Sequence, residues 1–460
     1  MSAFEAAWDL ALTVARPALR LAARAPGKPA AAVAGRLAGG RALCSWAETG
    51  RRAGDPLLWL HAASAGELAG AAPLVPAVRG RFPSLQVVAT CASPSGLVAA
   101  RELDADFAGF LPWDTQAECG RAVDALRPAA VVFAKGDVWP GLSRAAASRG
   151  VPLGLVNGTV SRRSSRLARP ARSLLRTVYA RLDAVGAASR EDAERIVRLG
   201  APGGGVRVTG DAAYAAAARR AVAVRDRGAP LLPPPPGGSV RLVAGSTWPA
   251  DERALLAACR EVTDVQLVLV PHEPSAVRVR RLRPAVRRAL GREPVLWSEL
   301  AEHARGRRDR GGPDGSPGSR GPGPDAPVPV IVDAVGFLAA LYLEADLAFV
   351  GGASAGRVAG RGLHSVLEPA AAGLAVLFGP RHDRREAREL LARGAARVLD
   401  GPSGPATLAS LVADPGTRAR MGTAARAVVE GGEEAVEAAA DLVADLLRTG
   451  ISRRRAGAGA

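Results

Sequence analysis

The sequence has few lysines, cysteines, histidines and aromatic residues, and each shortage removes a class of function. The four cysteines in 460 residues, Cys44, Cys91, Cys119 and Cys259, lie far apart with no C-x-x-C pair. That argues against a disulfide framework or a zinc site and fits a reducing cytoplasm. The five histidines, His61, His272, His303, His364 and His382, never fall at H-x-x-x-H or H-x-x-E-H spacing, so no metal site is expected. No uncharged apolar run reaches the roughly 18 residues of a membrane-spanning helix. Aromatic residues make up only 4% of the chain and no stacking platform accompanies its basic stretches, so no nucleic acid is expected as a partner.

What is present is arginine, alanine and apolar content. Lys+Arg 61 against Asp+Glu 44 gives a net charge of +17, although Lys28 and Lys135 are the only lysines. The excess points either to an anionic partner such as phosphate or an acidic membrane surface, or to the coding bias of an arginine-rich genome. With 48% hydrophobic residues the chain can build real cores, and at about 150 residues per domain it predicts two to three of them. Near the N-terminus, Phe4, Trp8, Leu12, Ala15, Leu19 and Ala22 recur at helical spacing, with Arg16, Arg20 and Arg24 on another face. Such a helix either lies in a membrane interface or packs on the body of the protein. The acidic Glu5 and Asp9, with no basic segment before the apolar part, argue against a signal peptide.

Short apolar runs then alternate with helical patterns. Residues 57–60, 86–90, 130–133, 151–156 and 184–188 read as buried strands, and a second series falls at 240–244, 265–270, 330–332, 346–350 and 374–378. This is the pattern of an α/β protein with two Rossmann-like, doubly wound parallel domains, whose ligands bind at the carboxyl ends of the strands, in the crevice between the domains. The expected organisation is an N-terminal amphipathic segment (1–40), a first domain (41–220), a Pro/Gly linker (221–238), a second domain (239–430) and a C-terminal helix and tail (431–460). Within the second domain, the Gly-, Pro- and charge-rich stretch 304–329 reads as a flexible insertion.

Loops after strands are where chemistry is expected. His61-Ala62-Ala63-Ser64-Ala65-Gly66-Glu67 follows the first strand, and its S-x-x-E spacing supports two readings. One is a helix capping box; the other is a carboxylate at a strand end, able to take a proton from an acceptor hydroxyl. In the second domain, Gly245-Ser246-Thr247-Trp248 offers hydroxyls and N–H groups to an anion, and Pro271-His272-Glu273-Pro274 ends the next strand. Gly351-Gly352 ends another. The run Gly360 to Pro369 is a glycine-rich turn that suits a phosphate, with Glu368 placed to accept from a ribose or base.

Taken in order, these segments resemble the 3-deoxy-D-manno-octulosonic acid (Kdo) transferases. The resemblance runs from about residue 50 to 430: LLWLHAASAGELAGAAPL (57–74), LPWD (111–114), RPAAVVFAKGDVWPGL (127–142), LVNGTVSRRS (155–164), SREDAERIVRLGA (189–201), VTGD (208–211), AGSTWPADE (244–252), DAVGFLAALYLEADLAFVGGA (333–353) and LHSVLEPAAAGLAVLFGP (363–380). It implies a GT-B fold and an inverting, metal-independent transfer of Kdo from CMP-Kdo to a lipid A precursor (lipid IVA) in lipopolysaccharide synthesis. No cofactor is implied, since CMP-Kdo is a substrate.

Site residues follow position by position. Glu67 matches the family's general base. Ser246, Thr247, Pro271, His272, Gly336, Phe337, Leu338, Gly352, His364, Ser365, Val366, Leu367 and Glu368 fall in segments implied to bind the CMP-sugar donor. The first domain is implied to bind the acceptor, with Ser64, Arg162, Arg163 and Arg166 as candidates. Arg162, Arg166, Arg169, Arg172 and Arg176 form a basic stripe if the segment is helical, which reads either as a surface for lipid phosphates or as a solvated face.

Departures from the usual motifs mark a variant branch. Lys135-Gly136-Asp137-Val138-Trp139-Pro140 stands where E-T-E-L-W-P is usual, and Ala213 stands where a basic residue is usual. We expect Lys135 to supply that missing cation and to stabilise the transition state. On the donor side, Phe337, His272-Glu273 and Ser365 replace a glutamate, an arginine–histidine pair and an asparagine. These losses keep two alternatives open: a GT-B transferase of another nucleotide sugar or glycolipid, and a catalytically silent homologue. With a membrane lipid as acceptor, the N-terminal helix is expected to moor the protein on the cytoplasmic side of the inner membrane, as a monotopic or peripheral protein.

Overall fold

A computed structural model describes residues 3–226, 230–308, 327–354 and 362–458. The chain divides into two units, residues 1–216 with 431–460, and residues 217–430. The fold is α/β, with one seven-stranded parallel sheet in each unit.

In the N-terminal unit the strands are β1 (Leu57–His61), β2 (Gln86–Cys91), β3 (Phe107–Phe110), β4 (Ala130–Ala134), β5 (Leu153–Gly158), β6 (Ala184–Ala187) and β7 (Val206–Val208). Their order is β3-β2-β1-β4-β5-β6-β7, so the topology reverses between β1 and β4. The register pairs Leu58 with both Val87 and Ala130. Successive side chains of a strand point to opposite faces. Leu58, Leu60, Val87, Ala89 and Val132 therefore enter one core layer, and Leu57, Trp59, Val88, Val131 and Phe133 the other. The expected strands are present; β3 and β7, which the sequence did not indicate, are short and partly exposed, leaving little apolar signal.

The C-terminal helix Gly432–Ala458 belongs to this unit and closes its first layer with Val436, Val443, Leu446 and Leu447. A Cβ at Gly450 would stand 1.8 Å from the Ala129 carbonyl oxygen, so the helix approaches β4 only because Gly450 lacks one.

The N-terminal helix Ala3–Ala22 packs on the same unit, as the second of the two sequence readings held. Trp8 Nε1 donates to Asp114 Oδ2 at 3.1 Å, Trp113 Nε1 donates to the Leu12 carbonyl at 3.1 Å, and Arg16 pairs with Glu118 at 2.7 Å. Phe4, Trp8, Leu12, Ala15 and Leu19 of the apolar stripe are half-buried. A different row, Leu10, Val14 and Leu21, is 65–70% exposed.

In the C-terminal unit the strands are β8 (Val240–Thr247), β9 (Val265–Pro271), β10 (Val295–Leu296), β11 (Val330–Ile331), β12 (Leu347–Val350), β13 (Ala375–Phe378) and β14 (Ala396–Val398). The order β10-β11-β9-β8-β12-β13-β14 reverses between β8 and β12. The short β10 and β14 are the strands the sequence did not reveal here. Described residues of the expected linker 221–238 make specific contacts. Helix Ala213–Arg225 runs into it, and Leu231 and Leu232 donate their N–H groups to Glu344 while Leu232 enters the core. Of the expected insertion 304–329, residues 304–308 continue helix Trp297–Arg308, and 309–326 lie outside the described residues.

Candidate active site

In an open parallel sheet the place for a ligand is the carboxyl end of the strands where the order reverses. In the N-terminal unit that is the end of β1 and β4, which carry Glu67 and Lys135 on the turns that follow.

After β1 the chain enters helix Ala65–Ala71 with Ser64 as its extended N-cap. Ser64 Oγ accepts the Glu67 N–H at 3.4 Å, and Glu67 Oε2 accepts the N–H groups of Ala63 and Ser64 at 2.8 and 3.2 Å. The capping box is therefore formed, and it does not compete with the base reading: both bonds fall on Oε2, and Oε1 accepts none from the described residues. Burial pushes the Glu67 carboxyl above the ordinary carboxylate range, and Asp137 adds to this; the two amides and Lys135 pull the other way. A carboxylate clamped through one oxygen, with its basicity raised at the other, suits proton abstraction. Ser64, expected at the acceptor, is exposed and serves as the cap.

Lys135 follows β4 with a left-handed φ of 74°. Its Nζ lies 3.3 Å from Asp211 Oδ2, on the turn after β7, two residues before Ala213. Lys135 thus reaches the turn that lacks the usual basic residue. Arg166 is engaged with the turn after β4, next to Lys135: its guanidinium donates to the Gly136 carbonyl and lies 3.2 Å from Asp137 Oδ1. Arg162 and Arg163 are exposed, and Pro170 opens helix Arg169–Tyr179, with Arg169, Arg172 and Arg176 on its exposed side. Beside this turn a cavity of about 180 Å³ is lined by Trp8, Val138, Trp139, Leu175 and Tyr179.

At the reversal in the C-terminal unit, Asp251 gathers the turns after β8 and β12. Its carboxylate accepts the N–H groups of Trp248, Gly352 and Ser354 at 2.8, 2.9 and 3.1 Å. Gly352 sits at φ 95°, where a Cβ would come within 2.2 Å of the Gly362 carbonyl oxygen. Thr247 is buried and its hydroxyl donates to Glu252 Oε1 at 3.0 Å, so it fastens the following helix instead of offering that hydroxyl to an anion. Ser246 beside it adopts φ 53°.

Trp248, His272 and His364 form one cluster. Trp248 Nε1 donates to His364 Nε2 at 3.1 Å, and the His272 and His364 rings stack with centroids 4.4 Å apart. Pro271 is buried at the end of β9, while His272 is exposed. Ser365 is exposed and caps Leu367 through its hydroxyl at 3.4 Å; Val366 and Leu367 are core residues that offer backbone alone. Glu368 lies 3.7 Å from Arg220, and burial pushes its carboxyl upward against that cation. Gly336 adopts φ 96°, Phe337 packs on Trp297 at 4.2 Å, and Leu338 lies beside Gly245. Gly360 and Arg361 lie outside the described residues.

Sequence reasoning missed Trp248, Asp251 and Asp211 as site residues. Trp248 and Asp251 stood in the quoted S-T-W-P-A-D-E loop and Asp211 in V-T-G-D, but nothing local shows what an aspartate or an indole N–H will meet. Among the described residues, no group of three or more His, Cys, Asp or Glu could hold a metal ion.

Residues 35–216 match the family model described as 3-deoxy-D-manno-octulosonic-acid transferase (kdotransferase). The 3-deoxy-D-manno-octulosonic acid transferase of Bordetella pertussis is 32% identical over 400 residues, 82% of this chain and 85% of that protein. The one from Chlamydophila psittaci is 28% identical over 352 residues, 75% of each chain. Among solved structures, the UDP-GlcNAc 2-epimerase of Neisseria meningitidis superposes with a TM-score of 0.55 at 13% identity, over 85% of this chain and 99% of that one. A glycosyltransferase from Rickettsia africae gives 0.52 at 10% identity, over 86% and 99%. These two likenesses concern the fold, which is GT-B. The chain is a glycosyltransferase and belongs to the 3-deoxy-D-manno-octulosonic acid transferase family.

Proposed function

We propose that the protein transfers Kdo from CMP-Kdo to a hydroxyl of the lipid A precursor lipid IVA, with inversion and without a metal ion, in lipopolysaccharide synthesis. The observation that carries this reading is Glu67: a carboxylate at the reversal of the N-terminal sheet, capped through Oε2, with Oε1 unengaged by the described residues. Oε1 takes the proton of the acceptor hydroxyl as its oxygen bonds to the anomeric carbon. The bond from that carbon to the phosphate oxygen breaks, and CMP leaves with the electron pair. Lys135 is the cation that stabilises charge developing in this step, held by Asp211. His272, His364 and Glu368 are assigned to the nucleotide sugar, and the arginines Arg162, Arg163 and Arg166 to the phosphates of the acceptor.

No helix among the described residues is long and apolar enough to cross a membrane. The reading places the protein on the cytoplasmic face of the inner membrane as a monotopic or peripheral protein. The exposed row Leu10, Val14 and Leu21 and the arginines of helix Arg169–Tyr179 support it.

The test is transfer to tetraacyl lipid A precursor, with CMP-Kdo generated in the assay, comparing wild type with Glu67→Ala. Product from wild type alone supports both reaction and base; no product from wild type, with CMP still bound, moves the reading to another sugar or acceptor.

A further inference from the structure

Anion sites on α/β turns usually use the backbone N–H groups at the start of the following helix. At the reversal of the C-terminal sheet three such N–H groups on the turns after β8 and β12 are already engaged, because the Asp251 carboxylate takes those of Trp248, Gly352 and Ser354. Beside these turns stand two side chains able to meet a phosphate: His272, which follows β9, and His364, three residues before helix Leu367–Ala371, their rings stacked on one another.

An indole N–H only donates, so the ring nitrogen it meets must carry a lone pair. Trp248 Nε1 lies 3.1 Å from His364 Nε2, and the proton of a neutral His364 is therefore on Nδ1. The ring is neutral: desolvation, then His272 and Arg384, push it down to about 4 against the opposite pull of Asp251. His272 stacks on the ring with centroids 4.4 Å apart and an interplanar angle of 26°, which fixes the ring plane. No described residue accepts a hydrogen bond from His364 Nδ1.

We propose that Trp248 is a positioning residue: it holds His364 as the Nδ1–H tautomer, so that the ring presents a neutral hydrogen-bond donor to the phosphate of the nucleotide-sugar donor. A phosphate carries acceptors only, so the other tautomer, with a lone pair on Nδ1, would repel it. The proposal rests on the nucleotide-sugar reading above for its ligand, and on the Trp248–His364 geometry for its mechanism.

The test uses the full chain with 15N-labelled histidine, reading imidazole tautomers from two-bond proton–nitrogen correlations, with His364 assigned through His364→Gln. Wild type is expected to show His364 as Nδ1–H. Trp248→Phe, which keeps the ring and loses the N–H, is expected to shift His364 toward Nε2–H. It should also weaken CMP binding about 5-fold, the effect of one hydrogen bond, and raise KM for the donor with kcat changed less than about 2-fold. His364→Asn, whose amide falls near the place of Nδ1, is expected to retain CMP affinity that His364→Gln loses, and this pair decides the matter if Trp248→Phe does not fold. An Nε2–H signal in wild type, or a Trp248→Phe protein with unchanged tautomer or CMP affinity, overturns the inference. An Nδ1–H His364 in a wild type that binds UMP and not CMP overturns the CMP assignment instead; the Trp248→Phe arm is then read with UMP against the same outcomes.

Discussion

Lys135 Nζ stands 3.3 Å from Asp211 Oδ2, joining the turn after β4 to the turn after β7. The pair matters because Asp211 is buried while Lys135 is about one-quarter exposed, so the carboxylate fixes the ammonium near Glu67 without removing it from solvent. Removing that cation should slow turnover about 10–100-fold in Lys135→Ala, with part of the rate retained in Lys135→Arg. A steady-state assay in which Lys135→Ala matched wild type, while Glu67→Ala was inactive, would remove Lys135 from the mechanism.

Glu67 has two duties that substitution can separate. Glutamine is accepted at the fourth position of a capping box, so Glu67→Gln should keep the cap of helix Ala65–Ala71 and melt within about 2 °C of wild type. As it cannot take a proton, its kcat should fall about 10²–10⁴-fold. Glu67→Ala should lose activity and also about 1 kcal/mol of stability, measured by urea unfolding.

The pH dependence follows from the same residue. Burial raises the Glu67 carboxyl, and the active form is the carboxylate. The rate should therefore rise with pH through an apparent pKa above the ordinary glutamate value, and Glu67→Gln should abolish that limb. A kcat/KM profile flat from pH 5 to about 8 in wild type would contradict it.

Asp114 offers a stability test with a definite sign. Its buried carboxylate accepts from Gly141 N at 3.0 Å, Leu142 N at 2.9 Å and Trp8 Nε1 at 3.1 Å, and burial pushes it up to about 6. Between the unfolded value near 3.8 and about 6 the folded state holds the proton more tightly. Stability should therefore be highest below about pH 4 and fall by on the order of 2–3 kcal/mol as pH rises to about 6, as far as this group is concerned. Asp114→Asn should flatten that segment of a stability–pH curve and loosen the N-terminal helix.

The N-terminal helix separates packing from membrane contact. Trp8→Ala should destabilise the protein by about 2–4 kcal/mol, since it removes a packed indole and its bond to Asp114. Replacing Leu10, Val14 and Leu21 together by serine should leave the melting temperature within about 2 °C and weaken sedimentation with anionic vesicles several-fold. Unchanged vesicle binding would exclude that row as the membrane surface.

The sequence by itself determined the alternation of strands and helices, the parallel doubly wound class and the placing of Glu67, His272 and His364 in the segments that join strands to helices. Each of these is a local signal: an apolar run of strand length, a helical period, a capping residue. Short edge strands such as β7 and β10 carry too few side chains to register in that way. Tertiary structure alone decided which turns meet. Lys135 and Asp211 are 76 residues apart and Trp248 and His364 are 116 apart; the first pair meets because the chain leaving β7 returns to the end of β5, where Ala212 N–H donates to Asn157 Oδ1, and the second because β12 lies beside β8. It also decided which face of the N-terminal helix is buried. Helical period gives an apolar stripe but not its partner, and here Trp8 of the stripe meets Asp114 while the Leu12 carbonyl accepts from Trp113, a choice between packing and membrane that the period left open.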